Sequence, residues 1–334
     1  MRRFLYSALL LAFTNLGVAQ ETPLEAGLEA TYSESVDLFE DGLYAAARVG
    51  FDELLESDLP TQSFLKEESS FYRALCALYL MNENSEYFLT YFAQTYPLSP
   101  RWQEAHITAA NYYFNNRRYK KVVQWLGAID QQDVASSFRS EYYFKLAYSH
   151  LMAKDVDKAR SLFFQGKDYT GEYRSHHRYY YGHIAYLEKS DQTALENLEP
   201  LQNHEEFGPV VPYYLAQIYA RTGKDDELLV LGEKLMKEAS AKRAPEISLL
   251  IGQSMFRKKR YADAKDYFEF NLAKGGKMSP EIAYQMGVCS YQTQDYEAAV
   301  KAFNQLPSES ATDWALQSRL MLGDSYSRLE RWEE

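Results

Sequence analysis

The stretch YQMGVCSYQTQDYEAAVKAF, Tyr284 to Phe303, sets the frame for the whole chain. A small residue, Gly287, is followed nine residues later by Tyr296, twelve later by Ala299 and sixteen later by Phe303. The same offsets recur in LLIGQSMFRKKRYADAKDYF with Gly252, Tyr261, Ala264 and Phe268. They recur in KLAYSHLMAKDVDKARSLFF with Ala147, Val156, Ala159 and Phe163. DLFEDGLYAAARVGF fits through Tyr44, Ala47 and Phe51, with Ser35 as the small residue. Tyr296, Ala299 and Phe303 stand three and four residues apart, so they share one face of a helix.

Along the chain the small residues are Ser35, Cys76, Ala110, Ala147, Gly182, Ala216, Gly252, Gly287 and Gly323. Successive intervals are 41, 34, 37, 35, 34, 36, 35 and 36, a period near 35. A fixed period of this length is the signature of a solenoid. Two repeats fit poorly: Phe88 replaces the small residue of one second helix, and Asp225, Leu228 and Gly232 stand where Tyr, Ala and Phe are expected. Each helix is expected to run about 12 to 15 residues, a length marginal in isolation, so stacking must supply the stability. Breakers fall between pairs: Pro97 and Pro100, Gly275 with Gly276 and Pro280, and Pro307. No segment alternates with the period of a strand.

This pattern resembles the tetratricopeptide repeat family, over essentially the whole chain from residue 28 on. The resemblance implies an all-α fold, a right-handed superhelix of antiparallel helix pairs with a concave inner face. Residues 28–334 would hold about eight full repeats and an incomplete ninth. It also implies that ligands, protein or peptide, lie against the inner face, lined by the first helix of each pair. Relative to the small residue, offsets −6, −3, +1, +4 and +5 gather on one side of a helix at about 100° per residue. The packing offsets −4, −1, 0 and +3 point elsewhere. The inner stripe so defined comprises Asn111 and Phe114, then Phe144 and Tyr148, then His176, Tyr179, His183 and Tyr186. It continues with Tyr213, Gln217 and Arg221, then Gln253, Phe256 and Arg257, and ends with Tyr284 and Tyr291. Aromatic rings give large contact area with few rotors to freeze, which suits a binding groove, though any single ring can also fill a gap between repeats. The chaperone-binding subclass of the family clamps a peptide carboxylate with Lys at −3 and Asn at +1. Asn111 has the second place, but Ile107 occupies the first, and no repeat has the pair.

The segment Glu172–Asp191 packs His176, His177 and His183 among five tyrosines, which invites a metal or acid–base reading. His176 and His183 are two helical turns apart, about 10.5 Å of rise, too far to share one zinc, and His177 projects elsewhere. His204-Glu205-Glu206 lacks the second histidine of a zincin, and Gly223-Lys224 lacks the upstream glycine of a phosphate loop. No nucleophile elbow or dinucleotide fingerprint is present. The expectation is therefore no catalytic residue, no metal, no cofactor and no enzyme within this chain.

The net charge of −11 disfavours nucleic acid and anionic membranes as partners. The N-terminus, MRRFLYSALLLAFTNLGVAQ, has Arg2 and Arg3, an apolar run from Phe4 to Phe13, and small residues before a cut after Ala19. It reads as a secretory signal peptide over 1–19, followed by a short linker over 20–27. Its removal takes the mature charge to −13, two units below −11. No other segment is apolar enough to span a membrane, and the expected location is the periplasm. Cys76 and Cys289 belong to repeats far apart in the array, so two free, buried thiols are expected rather than a disulfide. Gly323 opens a ninth repeat whose second helix should begin at Trp332, which raises the expectation of a longer protein. The sequence looks like large exported repeat proteins of Gram-negative, Bacteroidetes-type bacteria, and a non-enzymatic scaffold for envelope assembly or secretion is the first reading. Two alternatives stay open: a helical arm for a peptidoglycan-lytic domain beyond residue 334, and a glycan-binding solenoid.

Overall fold

The computed structural model describes residues 23–238, 240, 242–307, 313–331 and 333. The expected signal peptide, 1–19, and Trp332 lie outside the described residues. All regular structure among the described residues is helical. The chain divides into two compact units, 1–159 and 160–334, with the division inside one helix.

Unit 1 pairs α1 (Pro23–Glu40) with α2 (Tyr44–Glu56), α3 (Phe64–Tyr79) with α4 (Ser85–Thr95), and α5 (Trp102–Asn115) with α6 (Tyr119–Leu126). It ends with α7 (Arg139–Met152) and the start of α8 (Val156–Gly166). Unit 2 takes up the rest of α8. It then pairs α9 (Arg174–Leu187) with α10 (Asp191–Leu198), and α11 (Val211–Thr222) with α12 (Asp225–Glu238). Next come α13 (Ala244–Arg257) with α14 (Tyr261–Ala273), α15 (Pro280–Gln292) with α16 (Tyr296–Phe303), and finally α17 (Asp313–Arg328). Among the described residues sixteen α-helices precede α17.

The small residue works by close approach. A β-carbon on Gly252 would stand 3.0 Å from the Phe268 ring, and one on Gly287 would stand 2.5 Å from Phe303 Cδ1. In both cases the ring is the aromatic residue sixteen positions on. Leu198 takes that place against Gly182, at 2.9 Å. Ala47, Ala159, Ala264 and Ala299, at position +12, are fully buried.

Each first helix ends in the same way. Position +7 is left-handed at Gly42, Met81, Arg117, Lys154, Lys189, Gly223, Lys259, Gln294 and Glu330. The next N–H donates back to the carbonyl of position +3, as from Arg260 to Met255 at 2.9 Å and from Asp295 to Ser290 at 2.8 Å. This is the Schellman arrangement, which satisfies carbonyls that a helix end leaves open.

Three expectations are corrected. The segment 20–27 is not all linker, since residues 23–27 belong to α1. Cys76 is not the small residue of α3. The cap there has Met81 at +7 and Asn82 donating to Ala77, which puts the buried Ala74 at position zero. Two extra residues in the α3–α4 turn shift α4 by two positions, and that shift made Cys76 look in register. Helix lengths range from 18 residues in α1 to eight in α6, α10 and α16, outside the expected 12 to 15. Pro200 accounts for the short α10, because it has no N–H to donate to the Glu196 carbonyl and so cannot extend the ladder, and the chain turns through a 3-10 segment at Glu199–Leu201. Gly323, at the small-residue place in α17, is exposed with no atom within 4 Å of a would-be β-carbon. Both cysteines are free and buried, each in the core of its own unit.

Candidate functional site

In unit 1 the stripe residues sit on α5 and α7. Phe114 lies edge-on to Tyr148 at 5.4 Å and against Phe144 at 6.2 Å, and Tyr119 of α6 closes the group 5.7 Å from Tyr148. Phe144 is only 5% exposed, so it packs between repeats rather than lining a surface. Lys145 Nζ donates to Asn111 Oδ1 and to Glu141 Oε1, both at 2.7 Å, and stands 5.5 Å from the Phe114 ring. The Asn111 carbonyl is thus held within the stack.

In unit 2 the segment that suggested a metal centre resolves into three different histidines. His177 is fully buried, against the Phe163 ring at 5.9 Å, in a notch that exists because residue 166 is glycine. His176 Nε2 meets Glu206 Oε2 at 3.0 Å. His183 lies parallel to Tyr179 at 5.9 Å and to Tyr186 at 6.2 Å. Tyr214 of α11 joins this row 5.0 Å from both His183 and Tyr186. At the other end Phe207 stacks flat on Tyr179 at 4.3 Å. Phe207 comes from the connection between α10 and α11, where no helical frame could have located it. Tyr214, at offset −2, falls just outside the stripe offsets.

Polar stripe residues are bonded to the next repeat in a recurring pattern. Tyr186 Oη donates to Gln217 Oε1, and Gln217 Nε2 donates to Glu246 Oε1 at 2.6 Å. Three repeats later, Tyr291 makes the equivalent bond to Asp324 at 2.7 Å, and Tyr284 donates to Gln317 at 2.7 Å. Arg221 pairs with Asp191 and lies 5.4 Å over the Tyr186 ring. Arg257 pairs with Asp225 at 2.5 Å. Asp191 and Asp225 occupy position +9, where four other repeats have tyrosine, and the arginine stands at +5 of the following repeat. At the equivalent places Arg328 lies 5.7 Å over Tyr296, and in unit 1 Tyr79 stacks on Tyr44 at 4.8 Å. The apparent misfit at Asp225 is therefore a substituted contact with its partner in the next helix. Tyr213 lies under Arg243 at 4.1 Å, Phe256 packs on Tyr261 and Tyr284, and Gln253 is half-buried.

Titration follows burial. Burial pushes the His183 imidazole below its ordinary value, so it is neutral near pH 7. Burial also pushes the Tyr186 and Tyr179 hydroxyls up, and Tyr179 is raised further by Tyr214. Burial raises the Asp225 carboxyl as well, but hydrogen bonds from Arg257 and Ser254 and the charges of Arg257 and Lys258 together outweigh it and hold the group below the usual range. The row thus offers neutral, half-exposed rings held by polar bonds, a surface suited to stacking and apolar contact. Among the described residues no group of three or more His, Cys, Asp or Glu side chains converges to hold a metal ion. Nor is any helix among them long and apolar enough to cross a membrane.

Helix pairs stacked in register with a ring-lined stripe define an interaction solenoid. The tetratricopeptide repeat family model matches residues 281–310, the eighth pair, and the other pairs carry the same register and the same cap. Residues 281–310 thus carry a tetratricopeptide repeat, and an all-α repeat fold of this kind supports a scaffold for protein contacts in general. Similar solved structures include a tetratricopeptide repeat protein from Parabacteroides merdae, 12% identical over 90% of this chain and 99% of that one, with a TM-score of 0.38. Another is pilF of Pseudomonas aeruginosa, 15% identical over 68% of this chain and 96% of that one, with a TM-score of 0.39. No curated protein matches the chain at a significant level.

Proposed function

We propose that this chain is an exported, non-enzymatic scaffold that holds a peptide or protein segment along the ring-lined stripe of unit 2, in cell-envelope assembly or secretion. The observation that carries the reading is the row Tyr179, His183, Tyr186 and Tyr214. Its rings are half-exposed and stacked, and Tyr186 is fixed by bonds to α11 and α13 through Gln217. A row already ordered before binding loses little further side-chain entropy on contact. The N-terminal pattern of residues 1–19 supports export.

Photo-crosslinking tests the stripe. A benzophenone side chain replacing His183 should give discrete adducts in periplasmic extract of the native host. The same group replacing Val230, 76% exposed on α12, should give none. Adducts at 230 and none at 183 would move the site off the stripe. N-terminal sequencing of the mature protein should read from Gln20; a cytosolic chain retaining Met1 would exclude export.

A further inference from the structure

The connection between α10 and α11, residues 199–210, is built rather than slack. Phe207 is 4% exposed and anchors it against Tyr179. Gly208 donates to the His204 carbonyl at 2.7 Å, and a β-carbon on Gly208 would stand 2.6 Å from that same oxygen. Glycine is therefore required for so tight a loop. Glu206 is turned away toward His176. Between this loop, the start of α11 and the end of α12 lies a cleft of about 490 Å³, within the size range of small-ligand sites.

The lining of this cleft contains no carboxylate, although the chain carries 47 acidic residues against 36 basic ones. What it contains are donors. Lys234 supplies an ammonium, and Gln202 and Asn203 supply amides. His204 Nδ1 accepts from the Glu206 N–H at 3.2 Å, so in the neutral ring the proton sits on Nε2, a donor. The ring is held by stacking on Phe207 at 5.1 Å. Apolar wall is supplied by Pro209, Pro212 and Leu235, and by the Tyr213 ring with the Arg243 guanidinium over it. Asp226 and Glu227 line a neighbouring cleft that shares Gln202 and Lys234, and Asp226 there accepts from Lys258 Nζ at 2.7 Å.

We infer that this cleft is a binding site for a carboxylate carried on an apolar body, with Lys234 and His204 Nε2–H as the groups that recognise the anion. The class follows from the donor set: an ammonium and an imidazole N–H seek acceptors, two amides can add N–H groups, and charge-assisted bonds to a carboxylate are the strong ones. The carboxylate can be a peptide terminus or a free organic acid. Lys234 and His204 lie off the inner stripe, so this inference and the stripe reading fail separately.

Proton spectra of the whole chain supply the test, since six histidines leave the ring signals countable. Benzoate, benzyl alcohol, acetyl-Leu-Phe and acetyl-Leu-Phe-amide are titrated in turn. Benzoate and the free-acid dipeptide should shift the His204 signal saturably, and their neutral counterparts should bind about tenfold more weakly or worse. Lys234→Met, and Lys234→Gln as a second variant, should weaken benzoate by a similar factor with unchanged circular dichroism. The tighter of the two acids tells whether the natural source is a peptide end or a free acid. Equal binding of benzoate and benzyl alcohol, no saturable shift at His204, or full affinity in both Lys234 variants would overturn the assignment.

Discussion

A single β-carbon decides whether a repeat closes, and the glycines show how local that decision is. Gly287 faces the Phe303 ring so closely that any side chain must displace it, whereas Gly323 faces open space. The two occupy the same place in the sequence frame, yet only one has a second helix against it among the described residues. Gly287→Ala is expected to destabilise by about 1–3 kcal/mol through overpacking. Gly323→Ala should instead stabilise by about 0.5–1 kcal/mol, because alanine loses less freedom inside a helix. Urea midpoints of the two variants check this, and an equal loss in both would show that contact with the second helix is not what selects glycine. His177 makes the same point from the other side: it looked like chemistry in a histidine-rich run, and Gly166 opens the notch that makes it core.

At the scale of the element, what the sequence revealed and what it hid divide by physical cause. Helix pairing was legible because Gly252 with Phe268 and Gly287 with Phe303 are contacts at fixed separation within one pair. The cap that ends each first helix was not, because glycine marks it only at Gly42 and Gly223; Met81, Arg117, Lys154, Lys189, Lys259, Gln294 and Glu330 take the left-handed conformation against their own preference. The tertiary stacking of the pair fixes the turn, and the residue complies. The two-residue extension after Met81 was hidden for the same reason, so Cys76 rather than Ala74 seemed to hold the frame. The stripe was legible as a face, but its bonding to the next repeat was not, since Arg221 with Asp191 and Tyr186 with Gln217 are pairs between repeats. A left-handed residue with a β-carbon costs about 1–2 kcal/mol, and glycine returns part of that in lost chain entropy. Lys259→Gly is therefore expected to gain on the order of 0.5 kcal/mol, while Gly223→Ala loses about 1 kcal/mol. Chemical denaturation reads both; shifts of the same sign would mean the cap is not the controlling strain.

At the scale of the whole molecule the two thiols are natural reporters, because each lies in a different unit. Cys76 is packed with Ala47, Phe51 and Leu54, and Cys289 belongs to the core that includes Phe268 and Ala264. Burial pushes both thiols up to about 12, so at pH 8 neither presents a thiolate while its core is closed. Labelling then requires opening of the surrounding repeats, not a fluctuation of the side chain alone. In a solenoid each repeat contacts only its neighbours, so cooperativity decays along the chain and a long array need not unfold in one step. Thiol labelling across a urea series, with the modified peptides resolved by mass spectrometry, should show no reaction of either cysteine in the native state. The two should become reactive at different urea concentrations, each tracking part of the loss of helix signal. A single shared midpoint, coincident with the whole circular dichroism transition, would mean that the repeats are coupled from end to end and that nearest-neighbour additivity fails for this chain.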